Sequence, residues 1–128
     1  MAAVDKKAGV TAARLSALSV LVFGGARSLG ALAAAEGVAG PTMTRIVDGL
    51  AAAGLVVRQP DPRDGRAVVI AATRAGEALM RAAQRRRIEA IAAAIAALPA
   101  ADQRRLAAAA PLLDKVAGNV RGQEASRS

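Results

Sequence analysis

Gly40-Pro41-Thr42-Met43-Thr44-Arg45-Ile46-Val47-Asp48-Gly49-Leu50-Ala51-Ala52-Ala53-Gly54, followed by Leu55-Val56-Val57-Arg58-Gln59-Pro60-Asp61-Pro62-Arg63-Asp64-Gly65-Arg66-Ala67-Val68-Val69-Ile70-Ala71, reads as a helix and then a hairpin. Met43, Ile46, Val47 and Leu50 recur at spacings of three and four, which makes one apolar stripe. Thr42, Arg45, Asp48 and Gly49 take the other side. Pro41 suits a first helical position, whose N–H has no helical partner to lose. Gly54 suits a left-handed cap. The pattern predicts a helix over 41–53. The period then changes. Residues 55–58 and 67–71 read as strands, and the charged, turn-rich segment 59–66 joins them as the tip of a β-hairpin.

Upstream, Thr11 can cap a helix over 12–22 that turns Leu15, Leu18, Leu21 and Val22 to one face, with Gly24-Gly25 as its stop. Ser28 caps a short helix over 29–35, with Leu29, Leu32 and Ala33 facing inward; Gly37 breaks it and Val38 tucks into the core. Downstream, Thr73 caps a long helix over 74–98 carrying Leu79, Ile88, Ile91, Ile95 and Leu98. Leu98-Pro99 marks a break. A last helix spans 100–117 with Leu106, Leu112, Leu113 and Val116, and Pro111 inside it removes a backbone hydrogen bond. Residues 1–10 read as a mobile lead-in with no signal peptide, and 118–128 as a frayed tail. The fold expected is mainly α with a small β-hairpin wing (α+β): a winged helix-turn-helix module over 11–76, followed by helices over 77–117.

Composition narrows the chemistry. Apolar residues make up 54% of the chain, enough for a folded core, but Phe23 is the single aromatic. Alanine buries little area, so Leu, Ile and Val must supply the core. The absence of cysteine excludes disulfides, thiolate metal sites and thiol redox sensing. The absence of histidine removes the commonest metal ligand and the commonest general base. The ten acidic residues form no cluster, so nothing suggests an enzyme or a cofactor site. No uncharged apolar run reaches the roughly 18 residues of a membrane span. The cytoplasm is the expected location.

A net charge of +8 favours a polyanionic partner, but its distribution weakens that argument. The excess is +2 over residues 1–54, +2 over 55–76 and +4 over 77–128. Half of it therefore lies outside the winged module. Arg85-Arg86-Arg87 cannot share one helix face and reads as solvated surface.

The order helix, helix, turn, helix, hairpin carries the functional reading. A helix fits the major groove of B-DNA, where base edges are distinguishable, and a hairpin tip can reach the neighbouring minor groove. Thr42 and Thr44 offer hydroxyls, Arg45 can make a paired contact to guanine, and the helix start presents free N–H groups to phosphate. Arg58, Arg63 and Arg66 lie on or beside the loop with Asp61 and Asp64, and Asp64 is placed to orient the Arg66 guanidinium. Taken singly, each also fits a plain first turn or a solvated loop.

Together, Thr42-Met43-Thr44-Arg45-Ile46-Val47-Asp48-Gly49-Leu50, Gly54-Leu55-Val56-Val57-Arg58, Asp61-Pro62-Arg63-Asp64-Gly65-Arg66 and Thr73-Arg74-Ala75-Gly76 resemble the MarR family of bacterial transcription regulators. The likeness covers about residues 11–80. One departure is Ala72, where the family prefers Leu. The resemblance implies a sequence-specific double-stranded DNA-binding regulator, a repressor working as a homodimer on a pseudo-palindromic operator. DNA would be met by Ser28, Pro41, Thr42, Thr44, Arg45, Arg58, Arg63, Asp64 and Arg66, with Arg66 in the minor groove. Dimerisation would rest on Ile88, Ile91, Ile95, Leu106, Leu112 and Leu113, because the helix that the family usually carries before the one starting near Thr11 is nearly lacking here. A small, often phenolic, effector is also implied, although the usual Tyr, Trp and His grips are absent. The competing reading is a winged-helix module used for protein assembly without DNA readout.

Overall fold

The computed structural model describes residues 10–127. Three helices, an antiparallel hairpin and two further helices follow in order: α1 (Ala12–Gly24), α2 (Leu29–Glu36), α3 (Gly40–Ala52), β1 (Val56–Pro60), β2 (Val68–Ala72), α4 (Arg74–Ala96) and α5 (Ala100–Arg127). The fold is mainly helical with one small hairpin. The chain divides into two compact units between Arg85 and Arg86.

In the first unit, side chains close the helix starts. Thr11 Oγ1 accepts the Arg14 N–H at 3.3 Å and Ser28 Oγ accepts the Ala31 N–H at 3.1 Å, satisfying donors that have no helical partner. α3 begins one residue earlier than its pattern predicts. Ala39 occupies the cap position without a side-chain acceptor, so Gly40 is the first helical residue and Pro41 the second. Proline remains tolerable there, since the first-turn N–H groups are unpaired in any case. Gly37 and Gly54, at φ +66° and +74°, reverse the chain after α2 and α3.

The apolar stripes meet in one core of Leu18, Leu21, Leu32, Met43, Val47, Leu50, Leu55, Val56, Ile70 and Met80. Among the described residues no polar or charged side chain is buried. Val10, expected in a mobile lead-in, instead joins this core at 2% exposure; residues 1–9 lie outside the described residues. An apolar side chain beside the α1 cap gains more from burial than it loses in freedom.

The hairpin is shifted from its sequence reading by one residue at both strand starts. Val56 pairs with Ala72 and Pro60 with Val68. Leu55 stays out of the ladder because its N–H reaches the Leu50 carbonyl at 2.9 Å and its carbonyl accepts the Thr73 N–H at 3.0 Å. Gln59 and Pro60, read as loop, extend β1. On the other side of β2, Arg27 exchanges two backbone hydrogen bonds with Ile70, at 3.2 and 2.7 Å. The Arg27 side chain turns back, donating from Nη2 to the Gly24 carbonyl at 2.9 Å and from Nε to the Gly25 carbonyl at 3.3 Å. It thereby satisfies carbonyls at the negative end of α1.

Thr73 ties the wing to the next helix. Its Oγ1 accepts the Gly76 N–H at 3.1 Å and donates to the Gly54 carbonyl at 2.7 Å. One turn on, Gly76 lies so close to the start of β1 that a Cβ there would collide with the Leu55 carbonyl oxygen and crowd Leu18.

In the second unit, α4 ends in a turn at Leu98-Pro99 that Gln103 fastens, its Nε2 donating to the carbonyls of Leu98 at 2.9 Å and Ala96 at 3.3 Å. α5 carries Pro111 internally and continues through Arg127, past Ala117 where a frayed tail was expected. Gly118 and Gly122 each cost a helix about 1 kcal/mol relative to alanine, yet the helix runs through both. No residue of α5 is buried.

Substituting Gly76→Ala should destabilise the full chain by about 1–3 kcal/mol in urea unfolding, because backbone rather than a flexible side chain must yield. Thr73→Ala should cost about 1 kcal/mol by the same measurement, through loss of the cap and its bridge to Gly54.

Candidate nucleic-acid interface

Opposite the stripe that α3 buries, Thr42, Arg45 and Asp48 stand exposed at intervals of three. Arg45 has no ion pair or side-chain hydrogen bond among the described residues. Pro41 is exposed in the first turn, where unpaired N–H groups and the positive end of the helix dipole favour an anion. Thr44 is half-buried, and its hydroxyl donates to the Gly40 carbonyl at 3.1 Å. Only acceptor capacity remains for an external partner. Ser28 is the reverse case: its oxygen is engaged with the Ala31 N–H, and its O–H is left to donate outward.

The structure joins two residues that the sequence reading treated apart. Arg58 Nη2 meets Asp48 Oδ1 at 2.5 Å. Arg58 lies in β1, as the strand reading of residues 55–58 has it, and is tied to α3. Both side chains are well exposed, so the pair contributes under about 1 kcal/mol to stability. Its effect is geometric, since it holds the first strand of the wing against the outer flank of the helix.

The wing tip is closed by the Asp61 N–H donating to the Ala67 carbonyl at 2.9 Å and the Ala67 N–H donating to Asp64 at 3.0 Å. Its two aspartates act on the backbone. Asp61 Oδ1 accepts the Arg63 N–H at 2.9 Å, and Asp64 Oδ1 accepts the Arg66 N–H at 3.1 Å. Both are turns in which a carboxylate bonds two residues ahead. Asp64 thus shapes the loop and does not hold the Arg66 guanidinium, contrary to the sequence reading. The short arm of aspartate finds the nearby N–H before it can reach the end of the arginine. Arg63 and Arg66 remain exposed and free of ion pairs among the described residues.

The six apolar residues singled out on the later helices are all exposed, Ile88 and Ile91 at 58% and 61%, with Ile95, Leu106, Leu112 and Leu113 between 38% and 62%. Among the described residues no group of three or more Asp and Glu side chains could hold a metal ion, and no helix is long and apolar enough to cross a membrane.

A family model described as the MarR family matches residues 8–67. The chain is 41% identical over 104 residues to an uncharacterized HTH-type transcriptional regulator of Mycobacterium bovis, covering 81% of this chain and 73% of that protein. Among solved structures, a transcriptional regulator from Thermotoga maritima superposes with a TM-score of 0.78 at 30% identity, over 89% of this chain and 80% of that one. The S. aureus MepR–DNA complex is similar in fold, with a TM-score of 0.73 at 20% identity over 91% and 86% of the two chains. The helix order, the wing and these likenesses agree: the chain belongs to the MarR family of winged helix-turn-helix transcriptional regulators, DNA-binding proteins that are not enzymes.

Proposed function

We propose that this regulator reads double-stranded DNA with α3 in the major groove and the Asp61–Ala67 tip in the minor groove, and that residues 11–76 carry the readout. The observation that carries the reading is the state of the charges. Arg45, Arg63 and Arg66 are exposed with no acid engaging them, although three aspartates lie close by in sequence. Asp48 is engaged by Arg58, and Asp61 and Asp64 by backbone N–H groups. Free guanidinium groups on a helix and on a loop suit guanine edges and a narrow minor groove respectively. The fold likeness to MepR, solved with DNA, supports this docking. Ser28, Pro41, Thr42 and Thr44 then serve phosphates and register, while Asp64 and Arg58 position the wing.

The regulator acts as a homodimer, through Ile88, Ile91, Ile95, Leu106, Leu112 and Leu113. Full burial of an exposed Ile or Leu gains about 1.5–3 kcal/mol, and these side chains, already partly covered, would gain roughly half of that each. A two-fold dimer predicts a pseudo-palindromic operator with half-sites about one helical turn apart, and occupancy of such a site in the cytoplasm represses by exclusion. Small-molecule control, implied by the family likeness, would have to do without Tyr, Trp or His, which the chain lacks.

The test is selection of genomic fragments by the purified full chain, followed by titration at physiological salt. Arg45→Ala should weaken operator binding by about 1–3 kcal/mol and relax preference at one base pair. Arg66→Ala should cost a similar amount without altering the major-groove preference. Binding by both variants equal to wild type would remove these roles, and no salt-dependent binding to any fragment would favour the assembly reading. Sedimentation at micromolar concentration should give the mass of two chains; a monomer there would overturn the dimer.

A further inference from the structure

Arg14, in the first turn of α1, is a residue that the motifs leave unassigned. Its side chain is half-buried, and its guanidinium lies over Gly49 of α3, in the space that a Cβ at Gly49 would fill. The guanidinium makes no hydrogen bond or ion pair among the described residues; the one bond of Arg14 outside the helix ladder is its backbone N–H to Thr11. Asp48, next to Gly49 in sequence, is taken by Arg58. Its donors have no protein acceptor among the described residues and none of them is buried, so water satisfies them and an external anion can take its place.

The location says which anion. Gly49 lies seven residues, or two helical turns, beyond Thr42, so both occupy one flank of α3. Arg14 borders that flank, as Arg58 borders the opposite one at Asp48. Glycine at 49 is what lets the planar guanidinium lie against the helix. We infer that Arg14 is a contact to a DNA backbone phosphate beside the major groove, seated by Gly49, which fixes the register of α3 without reading bases. The inference rests on the DNA-binding reading above.

The experiment compares wild type with Arg14→Gln and Arg14→Lys in the full chain, by fluorescence anisotropy on the selected operator and on single-mismatch operators, from roughly 50 to 200 mM salt. Loss of one phosphate contact should make the slope of log affinity against log salt shallower by about 0.9 and weaken binding about fivefold near 0.15 M. For the Gln variant the ranking of mismatched operators and the thermal midpoint should stay as in wild type. The Lys variant should retain the wild-type slope. A Gln variant with unchanged slope and affinity overturns the inference. So does one that loses affinity and thermal stability while keeping the slope, since packing would then be the role of Arg14. Wild-type chain that shows no salt-dependent binding overturns the underlying DNA reading itself, before any variant is compared.

Discussion

The carbonyls of Gly54 and Leu55 form the junction on which the other elements depend. Gly54, at positive φ, turns the chain out of α3. Its carbonyl accepts the Thr73 hydroxyl, and the next carbonyl, of Leu55, accepts the Thr73 N–H. Thr73 also caps α4, and Gly76 lets that helix press against Leu55. One short segment therefore joins the end of α3, both strands of the wing and the start of α4. Leu55 is buried, and a buried backbone carbonyl needs its partner, so the bond from the Thr73 N–H cannot be given up without cost. The helix and the wing consequently stand as one body, which is what simultaneous docking into two grooves requires.

Charge follows from the same economy. The acidic groups nearest the proposed DNA-facing surface are used for shape: Asp61 and Asp64 bend the wing tip, and Asp48 holds Arg58. Used this way, they do not close intramolecular pairs with Arg45, Arg63 or Arg66. The carboxylates still subtract from the long-range potential, and net charge is correspondingly a poor guide to the surface. What matters is which guanidinium groups have no partner, a property visible only once the turns are formed.

Helix identity and order were legible because they depend on local periodicity and caps. Ser28 and Thr73 cap as their positions suggest. The misread boundaries have one cause, competition from contacts outside the local window. Leu55 resembles a strand residue, yet its N–H is claimed by α3 and its carbonyl by Thr73. Val10 looks like part of a polar leader, yet the core takes it. Gly118 looks like a stop, yet solvent-exposed glycine only weakens a helix. The long-range pairs were illegible for a related reason. Nothing in the chain marks Arg27 as the cap of α1, Arg14 as the neighbour of Gly49, or Asp48 as the partner of Arg58. The turn after α1 brings Arg27 back to Gly24 and Gly25, the packing of α1 on α3 brings Arg14 to Gly49, and the passage from α3 into β1 brings Arg58 to Asp48. The glycine in Thr73-Arg74-Ala75-Gly76 could be noticed as a motif, but its reason, the Leu55 carbonyl, is tertiary.

The alanine bias separates the two units physically. In the first, Ala17 and Ala33 are buried among larger side chains and allow close helix approach, so the low area of alanine is offset by Leu, Met, Ile and Val around it. In α5 the same residue supplies helix propensity but little area, and no side chain of that helix is buried. A helix stabilised by propensity alone is marginal in water, and Pro111 removes one of its hydrogen bonds. Ile88, Ile91, Leu112, Leu113 and Val116 meanwhile remain more than half exposed. Neither propensity nor the packing within one copy explains an ordered helix of 28 residues that carries such side chains. Burial against a second copy, as proposed above, would supply the missing term, on the unit that carries none of the proposed DNA contacts.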